Sequence, residues 1–505
     1  MGIAGIDIFI VVLFLIGILF YGTFFRRFVK TSDDYFIAKK MLPWWAIGMS
    51  IVLADIGAVE YMGMAGGTYR FGLAQANFDW IGCIPAMLVA AIIFIPYYWK
   101  AGVYTVPEYL GRRYNVYVQS IEAFLWIAFL AFVLGIILWA TALFLNTLMG
   151  WPHWVSIIVT AAIVGIYTVS GGLSAVVMTN ALQMIILFIG AIAILILGFK
   201  TVGGWGEMSE KIFALGPEFK NHFKLLLPMD TTTPYPWAGI VFGAALVISP
   251  AYWIGNQAII QASLGARNEW DAKAGVMWAA ILKTLIPVLI AVPGLIALAL
   301  YPGLSDGDTA LPMLLKNLLP PGLTGLVFAA FFAALMSTVA AYLESAATLF
   351  TKDIYQKFII KEAPDRHYLI VGRYLTVGII LFGMVIAPLS ERFPGIFVML
   401  QTIMSIFYGP TFAILLLGML WKRPTQWGGF FGLICGVILS SFLFTFKSHF
   451  FNISEPFLYI SWWSFIFAVV VNITVSLFTK PKSDDELDGL VYGLVVKDKS
   501  TKTEE

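Results

Sequence analysis

Two adjacent hydroxyl residues, Ser337 and Thr338, close the apolar run FAAFFAALMST at 328–338. Together with the carbonyl of Ala334, one helical turn earlier, they can turn three oxygens toward one point of a helix whose small residues permit close packing. A hard cation such as sodium needs oxygens of this kind in place of its hydration shell. A second run offers more of them. Trp44 to Ala54 reads as helix, but Asp55, Gly57, Gly63, Gly66 and Gly67 then bring polar and flexible positions to the same depth. A helix broken there frees the carbonyls of Leu53 and Ile56. The plainer alternative is that both hydroxyls bond back to their own backbone.

Ionisable side chains in apolar runs cost a few kcal/mol each and therefore ask for a role. Five are read here: Asp55 and Glu60 in the broken run, Asp79 at the start of the next, Lys283 and Glu344. Lys283 is the one clearly embedded cation, and a carboxylate such as Asp79 can neutralise it. The pair belongs either to a polar solute site or to a structural contact that fixes helix register. Glu344 is expected about two turns before the end of its helix, where the bland alternative to a role is that it only reaches a water-filled vestibule. His153, His222, His367 and His449 are scattered, and Cys83 and Cys435 read as small buried hydrophobes, so neither a metal cluster nor a disulfide framework is expected. No nucleophile stands with a base, which argues against an enzyme.

The elements that must hold these groups follow from composition. Of 505 residues, 60% are hydrophobic and 12% charged, so the solvent of this chain is a lipid bilayer. A net charge of +2 without a basic stripe gives nucleic acid no purchase. Apolar runs predict an all-α polytopic membrane protein of about thirteen spans: 6–25, 43–70, 79–99, 118–147, 154–169, 174–199, 236–262, 272–300, 320–351, 369–388, 394–421, 428–446 and 457–479. Arg26, Arg27 and Lys30 follow the first run rather than precede it, which excludes a secretory signal and places the N-terminus outside. Lys100, Arg112, Arg113, Arg267, Lys273, Lys352, Lys357, Lys422 and Arg423 then all fall in cytoplasmic loops, as the positive-inside rule requires. The polar tail, 481–505, is expected in the cytoplasm.

Two spans are interrupted. The second breaks around Asp55–Gly57, and the seventh is expected to break at Ser249–Pro250, ahead of Gly255, Asn256 and Gln257. Counting five spans from each gives second to sixth and seventh to eleventh. Matched breaks point to two inverted repeats around a midplane site, with glycine-mediated packing and a proline kink as the bland alternative. The expected organisation is a membrane domain over 1–480. It comprises a peripheral helix and loop at 1–40, a first core repeat at 41–200, a second at 236–425 and C-terminal peripheral helices at 426–480.

Several ordered segments resemble the sodium/solute symporter family, within it the sodium/glucose-type branch. They are DDYFIAKKMLPWW (33–45), EYMGMAGGTYRFGLA (60–74), YTVPEYLGRRYN (104–115), YTVSGGLSAVVMTNALQ (167–183), YWIGNQAIIQ (252–261), TKDIY (351–355) and LLLGMLWKRPT (415–425). The resemblance implies a leucine-transporter-type core, alternating access, and sodium as the coupling ion. It implies a sodium site made by the carbonyls of Leu53, Ile56 and Ala334 with the hydroxyls of Ser337 and Thr338. It places the solute site at Asp55, Glu60, Asp79, Gly82, Ser249, Lys283 and Gln401. Tyr252 matches an inner-gate tyrosine, while Met64, Phe78 and Phe397 match outer-gate apolar residues. Against the galactose-type pattern, Asp55 replaces asparagine, Glu60 glutamine, Asp79 glutamate, Gly82 serine and Ser249 asparagine. Asn180 replaces an aspartate on the ion path, so the acid at Asp55 and its loss at Asn180 could be an exchange.

The expectation is sodium-coupled symport of a small polar solute, a sugar or polyol, across the plasma membrane. An amino sugar, amine or zwitterion is the alternative favoured by the excess of carboxylate. A channel or a membrane-embedded enzyme is the alternative of a different class.

Overall fold

The computed structural model describes residues 4–26, 38–103, 105–168, 173–453 and 455–494. Arg27, Lys30, the segment before Ala38, the centre of the YTVSGG motif and the tail beyond 494 lie outside them. The described chain is built from helices. In order these are α1 (Gly5–Arg26), α2 (Trp44–Asp55), α3 (Ala58–Phe71), α4 (Leu73–Ala101), α5 (Val116–Met149), α6 (His153–Thr168) and α7 (Leu173–Val202). There follow α8 (Gly239–Gly255), α9 (Gln257–Leu264), α10 (Glu269–Leu300), α11 (Leu323–Phe358), α12 (Asp365–Ile386), α13 (Ile396–Leu420), α14 (Gln426–Thr445) and α15 (Phe457–Phe478). By length and composition, nine described helices can cross a membrane, or eleven when each of two bent pairs counts as one span. Shorter apolar helices, Gly5–Ile18 and His153–Ile163, stand at the first and fifth expected spans.

The bent pairs are α2–α3 (58°) and α8–α9 (51°). The first break is an extended step at Gly57. The Gly57 N–H turns to the carbonyl of Asp55 (2.9 Å) instead of continuing the ladder, and α3 restarts at Ala58.

The second break is not at Ser249–Pro250, as the sequence suggests, but at Asn256. A proline has no N–H to give and clashes with the carbonyl four residues before it. Here the preceding stretch, Gly239–Ile248, is π-helical, and its wider turn accommodates the mismatch. The chain bends only at Asn256, whose backbone is extended and whose side-chain oxygen accepts the N–H of Ala258 (3.0 Å) to cap α9.

Close packing of α2 against α10 sets the depth of the charged groups. A Cβ at Gly48 would lie 2.6 Å from the carbonyl oxygen of Gly275, and one at Gly275 would lie 2.9 Å from the Cβ of Ile47. Only paired glycines let the helices cross there. Asp55 is seven residues beyond Gly48 and Lys283 eight beyond Gly275, so both rise about 11 Å from the crossing and meet at one level. On the Trp44 face, Leu42 and the segment around Gly265 and Arg267 exchange backbone hydrogen bonds of 3.0 and 3.2 Å. The fully buried Arg113 donates to the carbonyls of Gly418 (2.6 Å), Trp421 (2.9 Å) and Pro424 (3.0 Å), which joins the short helix Val106–Arg113 to the end of α13.

Candidate functional site

The first break, the start of α4 and the stretch of α8 ahead of its own break surround a small cavity of about 40 Å³. Its lining includes Asp55, Gly57 and Glu60 from the first break, Phe78, Asp79 and Cys83 from α4, and Ser249 and Tyr252 from α8. Thr338 and Tyr342 of α11 and Phe397, Gln401 and Met404 of α13 complete it. This volume holds a few waters. A larger solute enters only after the surrounding helices part.

Lys283 is 1% exposed and pairs with two carboxylates, Asp55 and Asp79, the latter at 3.0 Å. Asp55 ends α2, where the negative end of the helix dipole disfavours a carboxylate; the ammonium opposes that penalty. Glu60 sits in the first turn of α3, where the dipole favours it. The π-helical turn Phe78–Cys83 carries Asp79 inward. Three oxygens of cavity-lining residues remain without a hydrogen-bond partner: Oε2 of Glu60, Oδ2 of Asp79 and Oε1 of Gln401. All three can only accept while the carboxylates are ionised, so a ligand that satisfies them must bring donors.

Beside this cavity the Thr338 hydroxyl donates to the carbonyls of Ala334 (3.0 Å) and Ala54 (3.2 Å), tying α11 to the break. A Cβ at Gly57 would stand 2.8 Å from the Thr338 hydroxyl oxygen, so the glycine is what lets α11 approach. The carbonyls of Leu53 and Ile56 accept no backbone hydrogen bond among the described residues. Of the two hydroxyls, only that of Thr338 reaches the break directly. Ser337 donates instead to the side-chain oxygen of Asn180, whose amide in turn donates to Ser50 (3.0 Å).

Of the remaining predicted positions, Phe78 and Phe397, both lining the cavity, meet edge to face at 5.3 Å. Met64 is buried nearby on α3 without lining the cavity. Tyr252 also lines the cavity and is hydrogen-bonded to Tyr342. Ser249 lines the wall, and a Cβ at Gly82 would lie 2.7 Å from its hydroxyl. Asp55 and Asn180 are not brought together: the carboxylate of Asp55 is spent on Lys283, and Asn180 faces Ser50 and Ser337.

A family model described as the sodium:solute symporter family matches residues 35–436. The chain belongs to the sodium:solute symporter family. Relatives of this symporter include the "Sodium/glucose cotransporter" of Vibrio parahaemolyticus, 32% identical over 96% of this chain and 92% of that protein. Another is "Sodium/myo-inositol cotransporter 2" of Homo sapiens, 32% identical over 86% of this chain and 69% of that protein. Among solved structures, a sodium-coupled sialic acid symporter in a substrate-bound outward-open state superposes with a TM-score of 0.83 at 21% identity, covering 95% of this chain and 99% of that one. The fold is therefore the leucine-transporter type, and the protein is a multi-pass membrane transporter that couples solute movement to sodium by alternating access. It is not an enzyme.

Several residues of the site escape a reading of the sequence. Cys83, read as a small hydrophobe, lines the cavity. Tyr342 does too, and its spacing one turn after Thr338 is the signal that could have found it. Glu122, wholly buried in α5, belongs among the embedded acids; it accepts from the Trp126 indole (2.9 Å) and from Thr411 (3.1 Å). Arg70, at the end of α3, pairs with Asp306 and with Asp308 (3.0 Å), while Asp308 also accepts the Ile396 N–H at the start of α13 (2.9 Å). This junction lies above Phe78 and Phe397 on the Tyr301 face.

Proposed function

We propose that the symporter carries a neutral, polyhydroxylated solute, a sugar or polyol, together with sodium. The observation that carries this reading is the set of unpaired acceptors on Glu60, Asp79 and Gln401 around a cavity with aromatic walls. Hydroxyl groups supply the donors those oxygens lack, and the apolar faces of a sugar ring suit Phe78, Tyr252 and Phe397. Lys283 already pairs with Asp55 and with Oδ1 of Asp79, so what the cavity leaves open is acceptor oxygens that neutral hydroxyl donors can fill. Relatives named for glucose and myo-inositol transport agree with this class. A second reading, an amine or amino sugar, rests on the count of three carboxyls against one ammonium.

In this proposal Leu53, Ile56, Ala334, Ser337 and Thr338 hold the sodium ion. Asp55, Glu60, Asp79, Ser249, Lys283 and Gln401 bind or frame the solute. Met64, Phe78 and Phe397 form the outer gate and Tyr252 the inner one, with Asn180 on the ion path. The core repeats span 41–200 and 236–425. The Tyr301 face is outside and the tail cytoplasmic, in a plasma membrane whose potential adds about 2.3 kcal/mol per charge per 100 mV to the driving force.

Uptake into proteoliposomes of labelled hexoses, inositols, amino sugars and amino acids, with and without a sodium gradient, tests the proposal. Sodium-driven accumulation confined to sugars or polyols is expected. Accumulation of amines alone overturns it in favour of the second reading. Counterflow of labelled solute in the absence of a gradient separates carrier from channel.

A further inference from the structure

On the Trp44 face the helix ends fall into two groups, each tied together by its own polar contacts. The first group holds the start of α2, the end of α4 and the turn between α9 and α10. There Leu42 exchanges backbone hydrogen bonds with Gly265 and Arg267, the Trp99 indole donates to the carbonyl of Ala266 (3.2 Å), and Lys100 pairs with Glu269 (3.1 Å). The second group holds the short helix Val106–Arg113, the start of α5 and the ends of α11 and α13. α11 runs on past its expected end through a π-helical turn at Phe350–Tyr355 to Phe358, which leaves Glu344 about four turns from the end rather than two. That turn carries the buried Asp353, which accepts from Thr105 (3.0 Å) and Gln119 (2.6 Å). Arg113 and Tyr114 donate to carbonyls at the end of α13. The two groups meet directly where the Val106 N–H donates to Gln257 (3.1 Å), where Arg112 donates to the carbonyl of Ala101 (2.8 Å), and where the rings of Tyr98 and Tyr109 stand 5.1 Å apart.

The segment after α15 adds a separate connection. Lys482 donates to the Arg112 carbonyl (2.7 Å), and Leu487, Leu490 and Val491 are buried although charged residues flank them in the chain. The Tyr109 hydroxyl donates to the carbonyl of Leu490 (2.5 Å), and the Tyr492 N–H donates to the carbonyl of Met419 at the end of α13 (2.7 Å). These contacts anchor the tail on the second group. Across the gap, the Gly493 N–H donates to the Tyr97 hydroxyl of α4 (3.0 Å), and the rings of Tyr97 and Tyr492 stand 5.6 Å apart. Ordering a terminal segment costs chain entropy that contacts of this kind must offset.

We propose that residues 482–493 are a strap that bolts the end of α4 to the end of α13, and that it must let go of α4 before the Trp44 face can open. Alternating access requires the helix ends on each face to part in turn. The strap's hold on the second group is buried, through Leu490, Val491 and Tyr109, whereas its hold on α4 is one hydrogen bond and one ring contact at the surface. It therefore releases at Tyr97 and stays on α13. None of its residues lines the solute cavity, so it acts on the opening of the face and not on the solute.

Cys83 on the cavity wall reports which face is open. In a Cys435→Ser background, without solute, its modification by an impermeant thiol reagent applied to one face at a time is measured for three proteins. They are the full chain, a chain ending at Lys480, and the double variant Tyr97→Phe with Tyr109→Phe. The double variant keeps both rings, removes the hydroxyls that hold Gly493 and Leu490, and guards against a folding defect in the shortened chain. Releasing the strap should speed modification from the Trp44 face about fivefold, the factor that one net hydrogen bond contributes. Modification from the Tyr301 face should stay equal or slow, because molecules that open one way are drawn from those that open the other. A general loosening of the fold would speed both. Modification from the Trp44 face that is unchanged in either folded variant, or faster from both faces, overturns the proposal.

Discussion

Acidifying the Tyr301 face should hold the transporter shut, through Asp308. In this structure the carboxyl is buried between Arg70 and the N-terminus of α13, and burial pushes its pKa up to about 6 against the pull of Arg70. When the gate parts and water reaches it, the value should return toward the ordinary 3.8. A group whose pKa is higher in the closed state binds its proton more tightly there. It therefore favours closure fully below the open-state value, and that contribution is lost as pH rises through the closed-state value. Between about pH 7.5 and about pH 5 the closed state gains a factor of about 10, or about 1.4 kcal/mol. Cys83 on the cavity wall reports the opening. In a Cys435→Ser background, its rate of modification by an impermeant thiol reagent applied to that face is measured for wild type and for Asp308→Asn. The asparagine mimics the neutral acid and does not titrate, and taking the ratio at each pH cancels the chemistry of the thiol itself. The ratio of wild-type to variant rate should be about tenfold higher near pH 7.5 than near pH 5, and the two should converge only below about pH 3.8. A ratio that does not change with pH refutes the reasoning.

At the first break, Thr338→Ala removes the hydroxyl that meets the Ala54 and Ala334 carbonyls. It should raise half-saturating sodium about five- to tenfold, roughly 1 kcal/mol; an unchanged sodium titration of uptake in the folded variant rejects the site. Lys283→Met strands the Asp55 and Asp79 carboxylates and should cost about 3–5 kcal/mol of stability as well as uptake. Adding Asp55→Asn and Asp79→Asn should restore the melting temperature but not transport. Normal uptake affinity in Lys283→Met would reduce the cluster to a scaffold. Gly82→Ser pushes against the Ser249 hydroxyl and should raise half-saturating solute several-fold at unchanged sodium dependence, with Ser249→Ala relieving it. No relief in the double variant would place the effect elsewhere.

What the sequence discloses is governed by how local the cause is. The first break was legible because glycines and an acid stand together in an apolar run, and the structure bends between Asp55 and Ala58. The second was misplaced by seven residues or so: Pro250 is the local signal, but a π-helical turn upstream absorbs it, and no residue type announces such a turn. Lys283 was legible as a lone embedded cation, and Asp79 as its partner. That Asp55 is also its partner depends on the Gly48–Gly275 crossing, 227 residues apart in the chain. Arg70 and Asp308 are each unremarkable at the edge of a hydrophobic run; only tertiary packing makes them one junction. Glu122 stands near the start of α5, and its burial depends on the Thr411 contact from α13, nearly three hundred residues on.

Coupling requires an element that both ligands bias. Residues 53–60 are such an element. The carbonyls of Leu53 and Ile56 accept no backbone hydrogen bond among the described residues and in the proposed site would face the cation, Gly57 admits Thr338, Asp55 holds Lys283, and Glu60 lines the cavity, all within about two turns of chain. A cation that draws the two carbonyls together fixes the angle at which α3 leaves α2, and α3 carries Glu60. The same rotation moves Asp55 relative to Lys283, which changes how much of the ammonium remains for Asp79 and leaves its Oδ2 correspondingly free or engaged. If sodium binds as proposed, it would thus set from one side of the break the acceptors offered at the other. By linkage, the factor by which sodium tightens the solute must equal the factor by which the solute tightens sodium, so a change confined to Glu60 is felt at Thr338 without touching it.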